Sequence, residues 1–451
     1  MQTKKDLFSA KALKKLIWPL ILEQILSITI GLADTIMVSS VGEAAVSGVS
    51  LVDMLNVLII NIFAALATGG AVVVAQLLGS KERERACDAA KQLYFVGIAT
   101  IVMLLREPLL RLLFGSIEPD VMQSALTYLT ISIFSYPVLA IYNAGAALFR
   151  AQGNSNVSMM IAGLINIVNI VGNATMIYGF HTGVAGAALA SMFARIVAAV
   201  VITILLFNPA HTVSLRRGTA FRPDNRLIRR ILQIGVPNGL ENSLFQLGRV
   251  LVVSIIALFG TTQIAANAVA NNLDSIGIIP GQAINLAMIT VVGQCIGAGD
   301  AEQARRMAKK LVKITYLILG STCLLCMLFS PLVLRIYSLS PEALSLARIL
   351  VLIHNGSAIL FWPISFTLTN ALRAANDVRY PMFCAIASMM LLRLGGGYIL
   401  AVQFGLGAIG IWIAMVADWI CRAICFTTRF HGTKWLTFAP GLRQAAQNGS
   451  L

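Results

Sequence analysis

Isolated polar side chains interrupt long apolar runs of this sequence, and they are the residues whose chemistry stands out. The clearest case is Asp34, in ITIGLADTIMVSS. A carboxylate within an apolar helix is costly to keep charged, because desolvation penalises the charged form. Such a group is suited to bind and release a proton, and its oxygens are also ligands for Na⁺.

Amide and hydroxyl groups occur in two later apolar runs. Asn169 and Asn173 are four residues apart in NIVNIVGNATMIYG, which places them on one helix face, and Ser191 lies in GAALASMF. With Asp34, these oxygens suit a hard monovalent cation or a proton relay. A purely structural cluster of hydrogen bonds between helices is the alternative interpretation. The residues alone leave both open.

Two further polar pairs have an i, i+3 spacing. Asp53 and Asn56 form one pair, and Asn271 and Asp274 form the other with the order of acid and amide reversed. They could line a cleft or pair across it.

Glu23 and Glu241 are expected near helix ends, where a structural or gating role is favoured over substrate binding. Pro19 removes a backbone hydrogen bond and predicts a kink in the helix that carries Asp34.

The second half of the chain carries its own charged groups within apolar runs, namely Arg249, His354, Arg393, Asp418 and Arg422. Asp418 and Arg422 are spaced i, i+4, which predicts an ion pair that neutralises buried charge. His354 could serve as a proton site or be a hydrogen-bonded core residue.

The elements that position these groups follow from composition. Of the 451 residues, 58% are hydrophobic and only 12% are charged, so lipid must be the solvent for most of the chain. One helical crossing needs about 20 apolar residues, and runs of that length recur throughout the sequence. The pattern predicts an all-α polytopic membrane protein with twelve transmembrane helices, the third at 90–113.

The net charge of +15 is unevenly distributed. Basic residues concentrate in the N-terminal segment and in alternate connections, at 81–91, 216–230, 305–313 and in the C-terminal tail. By the positive-inside rule this side is cytoplasmic, which places both termini there. The excess of positive charge therefore indicates topology and contact with the lipid bilayer, and no nucleic-acid partner is expected.

The chain also contains an internal duplication. Pro19 matches Pro237, Gly42 matches Gly260 and Gly79 matches Gly297, each at an offset of 218 residues. Copies with six helices each share one orientation, so a pseudo-two-fold axis along the membrane normal should relate two lobes. We predict an N-lobe at 1–207, a cytoplasmic linker at 208–230, a C-lobe at 231–428 and a cytoplasmic tail at 429–451.

Several motifs, in this order, resemble the bacterial multidrug and toxic compound extrusion (MATE) family. They are P-x-x-x-E followed by LADTIMVSSVGEAAVSG, then LFRAQGN, NIVNIVGNATMIYG, GVAGAALAS and ALRAAND. The resemblance covers essentially the whole chain. It implies export of cationic or amphipathic small molecules by antiport with H⁺ or Na⁺. The two-lobe duplication predicts alternating access as the mechanism. We expect a monomer in the inner membrane.

The same resemblance implies a coupling site at Asp34, Asn169, Asn173 and Ser191. The family has a second acid where this chain has Asn173, so Asp34 is the single carboxylate, which favours H⁺ over Na⁺ at this position. One branch of the family has acids in the second lobe as well, at positions that correspond to Phe245 and Trp362 here.

A lipid-linked precursor flippase of the same superfamily is the alternative function. It should have a strongly cationic cleft and often extra helices, whereas this chain offers only Arg249, Arg393 and Arg422 and twelve spans. No P-loop and no HExxH or nucleophile-elbow motif occurs, so neither ATP drive nor enzyme activity is expected. No cofactor is expected beyond the coupling ion.

Overall fold

A computed structural model describes residues 7–104, 119–215, 223–335, 337, 339–439 and 442. Within these ranges the regular structure is helical. The helices are α1 Ala10–Ser39, α2 Glu43–Gly79, α3 Arg83–Leu104, α4 Pro119–Ala151, α5 Ser155–Gly179, α6 Gly183–Leu206, α7 Asn225–Ala257, α8 Thr261–Gly297, α9 Ala301–Leu334, α10 Pro341–Ala374, α11 Arg379–Gln403 and α12 Gly407–His431. A short 3₁₀ turn, Leu436–Phe438, follows α12.

Eleven of the described helices are long and apolar enough to cross a membrane. The exception is α3, whose first turns carry the charged sequence RERACDAAK. The predicted third span at 90–113 runs into residues 105–118, which lie outside the described residues. The prediction of an all-helical polytopic fold is confirmed.

The first compact unit comprises Ala10–Gly239. Within it α1 packs against α5, α2 against α4, and both α4 and α5 against α6. The start of α7 also belongs to this unit, and it lies close to α2. A Cβ at Gly69 would lie 2.5 Å from the backbone oxygen of Ile231 and 2.9 Å from the nitrogen of Gly235.

The second unit contains the residues from Leu240 onward. Here α8 packs against α9 and α10, and α10 against α12, around a core that includes Leu273, Trp362, Trp412 and Trp419. The lobe and linker bounds drawn from the sequence stay predictions, and residues 216–222 of the linker lie outside the described part of the chain.

Several membrane helices contain wider π-helical turns. In α5 such a turn, Ala174–Gly179, begins directly after Asn173, and α11 contains Met389–Gly396 and Ile399–Gln403. Insertions of this kind change which side chains face a neighbouring helix, and they are frequent at functional sites.

Candidate functional site

Asp34, Asn169, Asn173 and Ser191 come together in the first unit as a closed ring of hydrogen bonds. The Asn173 amide donates to Asp34 Oδ1 and also to Asn169 Oδ1, at 3.4 Å. Asn169 donates to Ser191 Oγ at 3.0 Å, and the Ser191 hydroxyl donates to Asp34 Oδ2 at 3.4 Å. Asn169 and Asn173 are 1% and 0% exposed, so the side of the ring formed by α5 is fully buried. Asp34 is only half-buried.

This geometry allows both of the chemistries that the residue types suggested. Each carboxylate oxygen of Asp34 accepts one hydrogen bond, which stabilises the charged form. Asn173 Oδ1 is buried and has no hydrogen-bond partner among the described residues, so this oxygen can bind a proton donor or a cation.

A second polar chain includes Asp53. Asn56 donates to Asp53 Oδ1 at 3.2 Å, and the Tyr136 hydroxyl donates to Asn56 Oδ1 at 2.8 Å. In the second repeat Asn271 donates instead to the backbone oxygen of Asn267, at 2.8 Å. The Asp53–Asn56 pair and the Asn271–Asp274 pair, which match at an offset of 218, therefore form different hydrogen bonds.

Arg195 is a residue that the sequence interpretation missed. It lies on α6, donates to Ser135 Oγ, and interacts electrostatically with both Asp34 and Asp53. The sequence feature that could have identified it is its position as a lone arginine in the apolar run ASMFARIVAAVV, one helical turn after Ser191.

Glu23 and Glu241 occupy equivalent ion pairs in the two repeats. Glu23 Oε1 lies 2.6 Å from Arg150 Nη1, and Glu241 Oε1 lies 2.7 Å from Arg373 Nη2. All four side chains are at most 15% exposed. Each pair joins the first helix of a repeat to the fourth.

Asp274 belongs to a separate buried cluster in the second unit. Asn355 donates to Asp274 Oδ1 at 2.7 Å, and His354 Nδ1 lies 3.4 Å from the same oxygen. The His354 ring makes edge contacts with Trp412 and Trp419, at centroid distances of 5.9 and 5.1 Å. Both interpretations of His354 stay open, since it is a core residue that also contacts a carboxylate.

The remaining charges of the second unit lie around aromatic rings. Arg422 Nε lies 2.7 Å from Asp418 Oδ1, so the ion pair predicted from their spacing is present. The guanidinium carbons of Arg393 and Arg422 lie 5.3 and 5.6 Å from the centre of the Phe245 ring. Trp362 is 2% exposed and stacks on Phe366. Aromatic side chains thus fill the two positions where one branch of the family has acids.

Comparison with known proteins places this arrangement in a wider context. The family model MatE matches residues 19–175 and again 237–399. The two matches begin at Pro19 and Pro237, the first pair of residues related by the internal duplication.

Similar proteins match over nearly their full length. The "Probable multidrug resistance protein NorM" of Thermotoga maritima is 28% identical over 434 residues, which is 94% of this chain and 93% of that protein. The "Uncharacterized transporter YisQ" of Bacillus subtilis is 26% identical over 456 residues, covering 96% and 99% of the two chains. A solved structure described as the outward-facing conformation of a multidrug resistance MATE family transporter superposes with a TM-score of 0.88 at 22% identity, over 95% of this chain and 96% of that one.

Proposed function

The chain belongs to the MatE family of transporters, and we propose on this premise that it is a multidrug efflux transporter driven by an ion gradient. It is a multi-pass membrane protein, and transport of amphipathic, cationic small molecules out of the cell by alternating access is the activity that we assign to it. The observation that carries the coupling mechanism is the ring of hydrogen bonds that closes on both oxygens of Asp34.

We assign the coupling ion as H⁺ in preference to Na⁺, because the ring contains a single carboxylate. The two oxygens of Asp34 differ in how they can receive a proton. At Oδ1 the partner is an amide NH₂ that can only donate, whereas at Oδ2 it is the Ser191 hydroxyl, which can turn from donor to acceptor. The proton therefore binds at Oδ2.

Protonation weakens the attachment of α1 to α5. Neutral Asp34 is a poorer acceptor for the Asn173 amide, since hydrogen bonds to a charged group are about twice as strong as those to a neutral one. Helix α1 contains Pro19, which removes one backbone hydrogen bond and makes this helix the easier one to bend. Bending of α1 then displaces substrate and couples proton entry to export.

The test is efflux of a fluorescent cation from everted membrane vesicles, under an imposed proton gradient and then a sodium gradient. We expect Asp34→Asn to reduce efflux driven by the proton gradient by more than about a hundredfold, because the only proton acceptor of the ring is lost. Asp88→Asn is the matched control, since Asp88 on α3 is 55% exposed and its ion pair within the described residues is with nearby Lys91.

Undiminished efflux by Asp34→Asn, at a normal amount of protein in the membrane, would remove Asp34 from the mechanism. Efflux driven by the sodium gradient alone would replace H⁺ with Na⁺. Absence of cation efflux by the native protein under either gradient would instead favour the flippase alternative.

A further inference from the structure

The duplication identifies the positions of the second repeat that are equivalent to the ring around Asp34. Helices α5 and α11 have 25 residues each and begin 224 residues apart, as do α6 and α12 (379 − 155 and 407 − 183). At this offset Asn169 corresponds to Arg393 and Ser191 to Met415. At the offset of 218 that applies to the first helices, Asp34 corresponds to Val252. The second repeat therefore has an apolar side chain in place of the acid and a guanidinium group in place of the Asn169 amide.

These equivalent residues also come together in space. Val252, Arg393 and Met415 line one cavity in the second unit, which has about 380 Å³ of empty space, including the part that is open to the surroundings. The same cavity is lined by Arg249, Asn267, Asn271 and Trp412. It therefore contains two guanidinium groups, two amides and no carboxylate, and its charge is opposite to that of the ring in the first unit.

The two arginines have no acidic partner among the described residues. Neither Arg249 nor Arg393 forms a hydrogen bond or ion pair within the described part of the chain, and Arg393 Nε is buried without a partner. Asp418, the carboxylate that interacts electrostatically with Arg393, is bonded to Arg422 at 2.7 Å. Arg249 and Arg393 also repel each other.

Guanidinium groups at membrane depth are expensive unless they are paired or hydrated. A planar fork of N–H donors matches a carboxylate or a phosphate, which can accept two bonds at once. Trp412 and Met415 add an apolar and aromatic wall beside these donors. A ligand that pairs with both guanidinium groups and also contacts the apolar wall needs an anionic group joined to an apolar body.

We propose that this cavity of the second unit is a binding site for the carboxylate or phosphate group of an amphipathic molecule. The two repeats then bind opposite charges, a cation or proton at Asp34 and an organic anion at Arg249 and Arg393. This proposal does not depend on which ion drives transport.

The test compares naphthalene-2-carboxylate with its neutral methyl ester on the full-length protein in phosphatidylcholine nanodiscs, by fluorescence titration against empty nanodiscs. We expect the carboxylate to bind at least about tenfold more tightly than the ester. Arg249→Gln and Arg393→Gln should each remove most of this preference. Arg249→Lys and Arg393→Lys keep the positive charge and should keep part of it.

Arg335→Gln is the control, since Arg335 is exposed at the end of α9 and should leave the preference unchanged. Equal affinities for carboxylate and ester in the unaltered protein would overturn the proposal without reference to any variant. A preference that survives both glutamine substitutions would overturn it as well.

Nanodiscs that contain phosphatidylglycerol distinguish the two sources of the anionic group. Weaker carboxylate binding in those nanodiscs supports the proposal with a lipid headgroup as the natural occupant. Unchanged binding supports it with a soluble organic anion.

Discussion

The carboxylate of Asp34 is held on one side by an amide and on the other by a hydroxyl, and this asymmetry is the main feature at the scale of single residues. Asn173 is the central member of the ring, because its amide donates both to Asp34 and to Asn169. An asparagine there leaves Asp34 as the only acid of the ring. Arg195 contributes a positive charge that interacts with both Asp34 and Asp53.

Asn173→Ala should lower efflux driven by the proton gradient by about tenfold or more, because a hydrogen bond to a charged group contributes about 1.5–3 kcal/mol. Asn166 on the same helix is a matched control, since in the described part of the chain its amide donates to the backbone oxygens of Leu26 and Ala162 and to no member of the ring. Asn166→Ala should keep the dependence of efflux on the gradient. Equal losses in the two variants would show that Asn173 has a structural role alone.

At the scale of helices, equivalent ion pairs join the first and fourth helices of each repeat. In the first unit Glu23 accepts from Arg150 and also from Ser158 Oγ, at 2.6 Å in each case, so α1, α4 and α5 meet at one carboxylate. The second unit has the corresponding ion pair of Glu241 with Arg373, but the other carboxylate oxygen, Glu241 Oε2, has no hydrogen-bond partner among the described residues. The pair persists where the acids and amides of the ring do not, which favours a structural role for it over a role in coupling.

Glu23→Gln should lower the free energy of unfolding by about 3–5 kcal/mol, because it removes the negative charge that balances the largely buried guanidinium of Arg150. Thermal unfolding of the purified protein measures the change. The double variant Glu23→Gln with Arg150→Gln should recover part of the loss, since the positive charge is then removed together with the negative one. Glu342→Gln, at an exposed position in the first turn of α10, should change stability by less than about 1 kcal/mol. A double variant less stable than Glu23→Gln would contradict the ion-pair interpretation.

At the scale of the whole molecule, the distribution of basic residues predicts which ends of the helices face the cytoplasm. Helix α8 runs from Thr261, in a connection nearly free of basic residues, to Gly297, which precedes the basic segment at 305–313. Its two ends should therefore lie on opposite sides of the membrane, with both chain termini on the cytoplasmic side.

Cysteine labelling tests this orientation in a variant from which the seven native cysteines have been removed. A membrane-impermeant maleimide should label Thr261→Cys in intact cells, and Glu302→Cys only after the cells are made permeable. Both positions are exposed, so labelling reports sidedness and not burial. The opposite pattern would reverse the orientation of the chain.

The helices and the duplication follow from the sequence, because each depends on local or one-dimensional properties. Apolar runs of sufficient length define the helices, and a constant offset relates Pro19 to Pro237. That Asp34, Asn169, Asn173 and Ser191 belong together came from the family resemblance, since spacing alone left a structural cluster equally open.

The tertiary structure decided which polar groups meet, because hydrogen bonds between helices depend on helix rotation that no periodicity in one run specifies. It placed Asp34 against Asn173, 139 residues away, and Arg195 near two acids. In the folded chain Asp274 accepts a hydrogen bond from Asn355 and not from Asn271. Arg249 and Arg393 line the same cavity. The sequence by itself therefore determined which helices form and that they repeat, whereas packing in three dimensions determined the charge of each unit's interior.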